Sequence, residues 1–125
     1  MTKAQFRERL EELARAWVAK DYERAAAFFS VDVQYADPLR YSARSRGELL
    51  AFFQDDEGYP QLTEWHNIVF DEEQQVGVAE YTFSGTHRYH GIVIIKVAHG
   101  EFARWREYQH IVDVEWERFA GTTIF

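Results

Sequence analysis

The segment QVGVAEYTFSGTHRYHGIVIIKVAHGEFARWREYQHIVDVEW, residues 75–116, decides the fold of this chain. Apolar and polar side chains alternate along most of it, which is the pattern of β-strands that bury one face. The alternation predicts three long strands, namely Gln75 to Thr86, Tyr89 to Ala98 and Phe102 to Trp116, with a turn at His99-Gly100. Strands joined by such short turns pair antiparallel, so the segment predicts an antiparallel sheet.

The residues before this segment predict a further strand and the first helix. The strand runs from Leu62 to Phe70 and is followed by a polar turn at residues 71–74. Farther upstream, apolar residues recur at spacings of three and four over residues 3–19, which indicates an amphipathic helix. Thr2 is its predicted N-cap, with a glutamine three residues later in the capping-box position.

Two shorter helices and one short strand complete the prediction. Asp21 caps a second helix that runs through Phe29, and Ser45 caps a third that ends at Gly58-Tyr59-Pro60. Between them, Val31 to Tyr35 is a strand that ends at Asp37-Pro38, and residues 38–44 form a loop. Three N-terminal helices followed by consecutive hairpin strands predict an α+β fold with a mainly antiparallel sheet.

Length and charge narrow the class of protein. The 125 residues, with 46% apolar and 28% charged side chains, predict one globular domain over residues 1–125. The net charge of -7 argues against nucleic acid as a partner, because phosphate binding needs clustered positive charge. The chain has no cysteine, which excludes disulfides and thiolate nucleophiles. Its first residues lack the apolar run of a signal peptide, and no segment is apolar enough to cross a membrane, so we expect a cytoplasmic protein.

The aromatic content is high for a domain of this size. Four Trp, seven Tyr and ten Phe make up 17% of the residues. Rings in this number either fill the core or line a cavity or a partner interface. The composition is therefore explained either by an aromatic core alone or by rings that line a small-molecule pocket or a partner interface.

Three stretches, taken in order, resemble the nuclear transport factor 2-like superfamily, in its polyketide cyclase-like (SnoaL-like) and limonene-epoxide-hydrolase-like branch. They are Phe28-Phe29-Ser30-Val31-Asp32-Val33-Gln34-Tyr35-Ala36-Asp37-Pro38, then Ser84-Gly85-Thr86-His87, then Trp105-Arg106-Glu107-Tyr108. The resemblance extends from Phe6 to about Trp116. It implies that the helices pack on a strongly curved sheet to form a cone with a pocket inside. It says little about the reaction, because such folds host many functions.

The resemblance also implies roles for particular residues. Tyr35 is similar to a tyrosine that holds the attacking water in the epoxide hydrolases, with Asp37 in the place of an asparagine and Glu107 in the place of an acid. Tyr81 and Phe83 stand where those enzymes have an arginine and a second aspartate. Neither side chain can protonate an epoxide oxygen or orient two carboxylates, so the residues argue against epoxide hydrolysis.

The strand alternation predicts which side chains share the pocket, since residues i and i+2 face the same way. Acid–base chemistry is predicted for Asp37 and Glu107, since two carboxyls in a dry pocket raise each other's pKa. Tyr35 is a further catalytic candidate, and so is His87, in a Gly-Thr-His triplet that resembles one of the polyketide cyclase-like proteins. The candidate ligand-binding residues are Trp17, Tyr81, Phe83, Tyr89, Trp105 and Gln109.

Alternatives remain open for these residues. Asp37 precedes a proline, where an aspartate often caps its own loop, and Glu107 has arginines nearby in sequence that it could pair with at the surface. A metal site built from His87, His90, Asp37 and Glu107 lacks any known ligand spacing, so no metal and no cofactor are expected.

Two functions therefore remain. The first is a cofactor-free lyase, isomerase, cyclase or hydrolase that uses carboxylate acid–base chemistry on a small apolar or aromatic molecule. The second is a non-catalytic module that binds a hydrophobic ligand or acts as a dimeric interaction scaffold. A homodimer through the outer sheet face is expected in either case, because several outward positions are too apolar for a face exposed to water. They are Ile92, Ile94, Val97, Val112, Val114 and Trp116.

Overall fold

The computed structural model describes all residues, 1–125, as alternating helices and strands around one core. The helices are α1 (Lys3–Val18), α2 (Tyr22–Ala27), α3 (Arg46–Gln54) and α4 (Trp116–Ala120), followed by a 3-10 turn at Gly121–Thr123. The strands are β1 (Phe29–Asp37), β2 (Tyr41–Ala43), β3 (Leu62–Asp71), β4 (Val76–Ser84), β5 (Arg88–Ala98) and β6 (Glu101–Ile111).

The six strands form one sheet in the order β2-β1-β6-β5-β4-β3. All neighbouring strands are antiparallel except β1 and β6, which run parallel. After β2 the chain crosses to the far edge of the sheet, and β3 to β6 then lead back from that edge until β6 lies beside β1. The register shifts within the β1–β6, β3–β4 and β5–β6 pairs, and such bulges bend a sheet. The α+β class with a curved, mainly antiparallel sheet is confirmed.

Helix α1 packs its apolar stripe on the sheet. Phe6, Leu10, Leu13 and Trp17 are buried at the predicted three- and four-residue spacing. The Phe6 ring stacks on Phe70 of β3 with centroids 4.4 Å apart. The predicted capping box is present, since Thr2 and Gln5 exchange hydrogen bonds between side chain and backbone. These contacts orient α1 so that its C-terminal turn brings Trp17 to the cavity described below.

The N-terminal strands differ from the prediction in two ways. β1 begins at Phe29, two residues earlier than expected, because the Phe29 ring is fully buried and its backbone pairs with Phe102 of β6. The predicted loop at residues 38–44 contains strand β2. Residues 37–40 form a tight turn in which the Arg40 amide donates to the Asp37 carbonyl at 3.0 Å, and a proline at the second position favours such a turn.

The C-terminal end also differs. β6 ends at Ile111, not at Trp116, and the chain folds back as helix α4. Two histidine contacts explain the reversal: His90 Nε2 donates to the Val114 carbonyl at 2.7 Å, and Trp116 stacks on the His66 ring at 3.9 Å. The alternation of apolar residues after Ile111 therefore reflects packing of the returning chain and not strand pairing.

Four of the six assignments to the exposed outer sheet face were wrong. Val112, Val114 and Trp116 lie beyond the end of β6 and are half-buried in the returning chain. Val97 is only 2% exposed, because it lies on the same face of β5 as Val93 and Ile95. Ile92 and Ile94 do face outward, at 38% and 36% exposure.

None of the helices is long and apolar enough to span a bilayer.

Candidate functional site

A cavity of about 290 Å³ opens on the helix-covered face of the sheet. Its volume is at the lower end of the roughly 300–1,000 Å³ typical of ligand pockets. Every apolar residue of its lining is aromatic; these residues are Trp17, Tyr35, Tyr41, Phe52, Phe53, Trp65, Tyr81, Phe83, Tyr89 and Trp105. The other lining residues are Asp55, Asp56, Glu57, Gln61, Thr63, Gly85, Thr86, Glu107 and Gln109. The rings on α1, α3 and the strands therefore form a small aromatic container.

Glu107 is the buried carboxyl of this cavity. Strand β6 turns it inward between Trp105 and Gln109, and only 6% of the residue is exposed. Its Oε1 accepts hydrogen bonds from Tyr35 Oη at 3.0 Å and Trp105 Nε1 at 2.7 Å, while Oε2 accepts one from the Tyr41 hydroxyl. Burial raises the pKa of Glu107 above its ordinary value, although these three donors favour the ionised form and lower it in part.

The two tyrosines that donate to Glu107 keep their own protons. Burial raises the pKa of Tyr35 well above its ordinary value, and the nearby Glu107 charge raises it further. Burial and Glu107 act in the same direction on the pKa of Tyr41. Both phenols therefore stay protonated at physiological pH, and the role they can fill is to hold the Glu107 carboxylate in one orientation.

A second group of hydrogen bonds surrounds Gln109. Its Oε1 accepts from Tyr81 Oη at 2.6 Å, and its Nε2 donates to Tyr41 Oη at 3.1 Å and to Asp37 Oδ2 at 3.0 Å. Gly91 on β5 gives Tyr81 the room for this contact, since a Cβ at Gly91 would lie 2.8 Å from Tyr81 Oη. Gln109 thus joins the Glu107 cluster to Asp37.

Asp37 lies behind this cluster and does not line the cavity. Its Oδ2 accepts from Arg40 Nη1 at 2.7 Å, and its Oδ1 accepts from the Leu39 amide at 3.0 Å, which is the loop-capping arrangement. Burial raises the pKa of Asp37, but the hydrogen bonds from Arg40, Leu39 and Gln109 outweigh it, and the net pKa is lowered. Asp37 and Glu107 therefore lie near each other with opposite pKa shifts, and only Glu107 faces the cavity.

Two histidines considered at the sequence level lie elsewhere. His87 is exposed in the turn between β4 and β5 and is absent from the cavity lining. His90 faces the opposite side of the sheet, where its Nδ1 contacts Thr82 Oγ1 at 2.9 Å. The structure therefore does not bring together His87, His90, Asp37 and Glu107, the four residues considered for a metal.

Most of the other predicted site residues do meet in the cavity. The lining includes Tyr35, Glu107, Trp17, Tyr81, Phe83, Tyr89, Trp105 and Gln109. Whether each of them contacts a ligand stays a prediction.

Sequence reasoning missed Tyr41, which donates to Glu107 from strand β2. The signal for it was the Asp-Pro-Leu-Arg turn of residues 37–40, which makes a hairpin out of the predicted loop. It also missed the acidic residues 55–57 that follow α3, because nothing local indicates that this loop reaches the cavity.

The arrangement can hold and move a proton. Glu107 Oε1 has two donors, which occupy both of its lone pairs, whereas Oε2 has one and keeps a lone pair free. A carboxyl whose pKa is raised by burial serves as a general acid when protonated and as a general base when ionised.

No protein-family model matches this chain, and no curated protein sequence matches it. Solved structures do match it. An NTF2-like protein of unknown function from Burkholderia xenovorans superposes with a TM-score of 0.74 at 18% identity, over 93% of this chain and 92% of that one. An LEH-like epoxide hydrolase from M. tuberculosis has a TM-score of 0.72 at 16% identity, over 82% and 80% of the two chains.

A third similar structure is an epoxide hydrolase/cyclase-like enzyme with a role in pyran ring formation in the polyether salinomycin. It superposes with a TM-score of 0.72 at 11% identity, over 83% of this chain and 89% of that one. At these identities the likeness concerns the fold. The chain has the nuclear transport factor 2-like fold that its sequence motifs predicted.

Proposed function

We propose that this chain is a cofactor-free enzyme that transfers protons on a small ring-bearing molecule with a carbonyl or hydroxyl group. Glu107 is the acid–base residue. The observation that carries the proposal is a buried carboxyl with a raised pKa and one free lone pair, at the inner end of an aromatic cavity. A site that only binds a neutral ligand gains nothing from a buried acid, which is costly to desolvate.

The proton-transfer step is abstraction next to a carbonyl. Glu107 Oε2 takes the proton from the α-carbon, the C–H electron pair moves into the C–C bond, and the carbonyl oxygen becomes an enolate. The reverse transfer returns the proton to another carbon or to the same one. The fold supports this chemistry because it holds Glu107 fixed from three sides.

Tyr89 is the tyrosine of the lining whose hydroxyl is left free to donate to the enolate oxygen. The hydroxyls of Tyr35 and Tyr81 are engaged within the protein, because they donate to Glu107 and Gln109. Tyr89 lines the cavity, and its hydroxyl has no hydrogen-bond partner within the protein, so it is free to donate to a substrate oxygen.

The experiment that tests this function is deuterium exchange of a ketone probe. We expect the protein to accelerate loss of the acetyl methyl proton signal of para-acetylbenzyl alcohol in D₂O, followed by NMR. Because the base must be ionised, the rate rises with pH through the pKa of Glu107, and burial places that limb above the ordinary carboxyl range. A rate equal to that of buffer contradicts the proposal.

Binding of the probe without exchange would instead favour the second candidate, a non-catalytic binding module. Two features of the structure agree with a binding module: all three donors to Glu107 belong to the protein itself, and Asp37 is neutralised by Arg40. The exchange rate separates the two functions, since both predict binding.

We also propose that two copies of the chain pair through the outer sheet face. Ile92 and Ile94 expose apolar surface there beside Tyr108, which is 55% exposed. We expect light scattering to give about twice the chain mass of 14.8 kDa at micromolar concentration. The variant Ile92→Glu places a charge in this contact and should shift the mass to that of one chain. A single-chain mass for the wild type contradicts the dimer.

A further inference from the structure

The charge of the cavity lining restricts the ligand. Among its nineteen residues there is no lysine, arginine or histidine, while four carry carboxyl groups. These are Asp55, Asp56, Glu57 and Glu107. An anionic ligand would meet only like charge here, and nothing in the lining could neutralise it.

The acidic residues lie at both ends of the cavity. Glu107 is buried among the strands, whereas Asp55 and Glu57 are exposed in the loop after α3 and mark the open end. Asp56 is not available to a ligand, because Tyr22 donates to it and Lys20 Nζ lies 3.1 Å away, contacts that help hold its pKa at about 2. Neither Asp55 nor Glu57 has an ion-pair partner.

Aromatic rings fill the space between the two ends. The faces of Trp, Tyr and Phe rings carry partial negative charge and attract organic cations, most strongly where water is excluded. Ten rings beside two unpaired carboxylates, with no cationic side chain in the lining itself and Lys20 engaged by Asp56, are an arrangement that suits an ammonium group.

Two buried polar atoms of the lining indicate that the cavity is built for a ligand. Trp17 Nε1 and Thr63 Oγ1 have no hydrogen-bond partner in the protein, and Trp17 is only 8% exposed. Buried donors without partners are costly. Trp17 Nε1 is therefore a donor that an oxygen atom of a bound molecule can satisfy.

We infer that the ligand of this cavity is a ring-bearing organic amine in its ammonium form that also carries an acceptor oxygen, with the ammonium group held between the aromatic walls and the Asp55 and Glu57 carboxylates. The inference rests on the cavity being the functional site proposed above. It adds the charge of the substrate, which the acid–base role of Glu107 does not determine.

The test compares three probes of one shape, para-acetylbenzylamine, para-acetylbenzyl alcohol and para-acetylbenzoate, which are cationic, neutral and anionic at neutral pH. Dissociation constants are measured by NMR titration of the indole N–H signals. We expect the amine to bind about tenfold more tightly than the alcohol, and the benzoate to bind more weakly than either. Added salt should reduce the advantage of the amine, since the mouth of the cavity is exposed.

Two double variants test whether the carboxylates at the open end of the cavity cause the preference for the amine. Asp55→Asn with Glu57→Gln should reduce the amine-to-alcohol preference to about threefold or less, and leave the alcohol unchanged. The matched control is Glu8→Gln with Glu11→Gln, which removes the same charge from exposed positions on α1 outside the lining. The control should keep the wild-type preference.

Equal binding of amine and alcohol by the wild type overturns the inference, and so does an equal loss of preference in both double variants. These results are independent of catalysis, because they are binding constants and can be repeated in Glu107→Gln. Deuterium exchange without an amine preference refutes only this inference. An amine preference without exchange refutes only the enzymatic proposal.

Discussion

Replacing Glu107 by glutamine is expected to lower the rate of deuterium exchange at least about a hundredfold, the usual scale for loss of a general base. Glutamine has the shape of glutamate but cannot take up a proton. Its Oε1 can still accept from Tyr35 and Trp105, so the cavity should keep its form. The residual rate should also lose the acid limb of the pH profile, because that limb reports the ionisation of Glu107.

The matched control is Asp37→Asn. Asp37 is the other buried carboxyl of this region, but Arg40 and the Leu39 amide satisfy it and it does not line the cavity. We expect this variant to keep the acid limb and to lose far less rate than Glu107→Gln. Equal losses in the two variants would contradict the assignment of the base to Glu107.

Stability measurements separate a lost base from a damaged fold. The folded-state pKa of Glu107 is raised, so the contribution of its carboxyl to the free energy of unfolding is complete below the unfolded value of about 4.3 and is lost as the pH rises through the folded value. Glutamine has no such dependence. Urea unfolding at acidic and at neutral pH should therefore show the variant gaining stability relative to wild type as the pH rises.

Strand alternation predicted the inner face of β6. Once Glu107 is placed inside, the two-residue period of a strand places Trp105 and Gln109 on the same face. Trp105, Glu107 and Gln109 lie together as expected, and Tyr81 and Phe83 of β4 face them. The same period holds wherever a strand is regular. One residue known to face inward therefore predicts which other residues of the same strand line the cavity.

The sequence did not predict the polar contacts of the cavity, because these depend on residues brought together by the tertiary fold. Asp37 and Glu107 are both buried acids, and they have opposite pKa shifts because Arg40, the Leu39 amide and Gln109 together lower the pKa of Asp37, while burial dominates for Glu107. Tyr41 was hidden in a segment read as a loop. The strand pattern therefore predicted the walls of the cavity, whereas the contacts of Asp37 and the position of Tyr41 depend on the turn at residues 37–40.

Truncation of Phe29 to alanine is expected to lower the free energy of unfolding by about 3–5 kcal/mol, the range for removing a fully buried aromatic ring. Phe29 is 0% exposed and starts strand β1 at the centre of the aromatic core. Its ring lies 5.3 Å from Trp105, 5.4 Å from Phe102 and 5.8 Å from Tyr35, measured between centroids.

The loss should reach the site as well as the core, because Trp105 and Tyr35 are both donors to Glu107 and both rest on the Phe29 ring. The measurement is urea unfolding, with Phe125→Ala as control, since that ring is 97% exposed and its removal should change stability by no more than about 0.5 kcal/mol. If Phe29→Ala does not fold, Phe29→Leu retains part of the buried surface and should show a smaller loss with the same sign. If the Phe29 variants are as stable as the control, the Phe29 ring does not stabilise the core. That result would also contradict the view that the aromatic core positions the donors to Glu107.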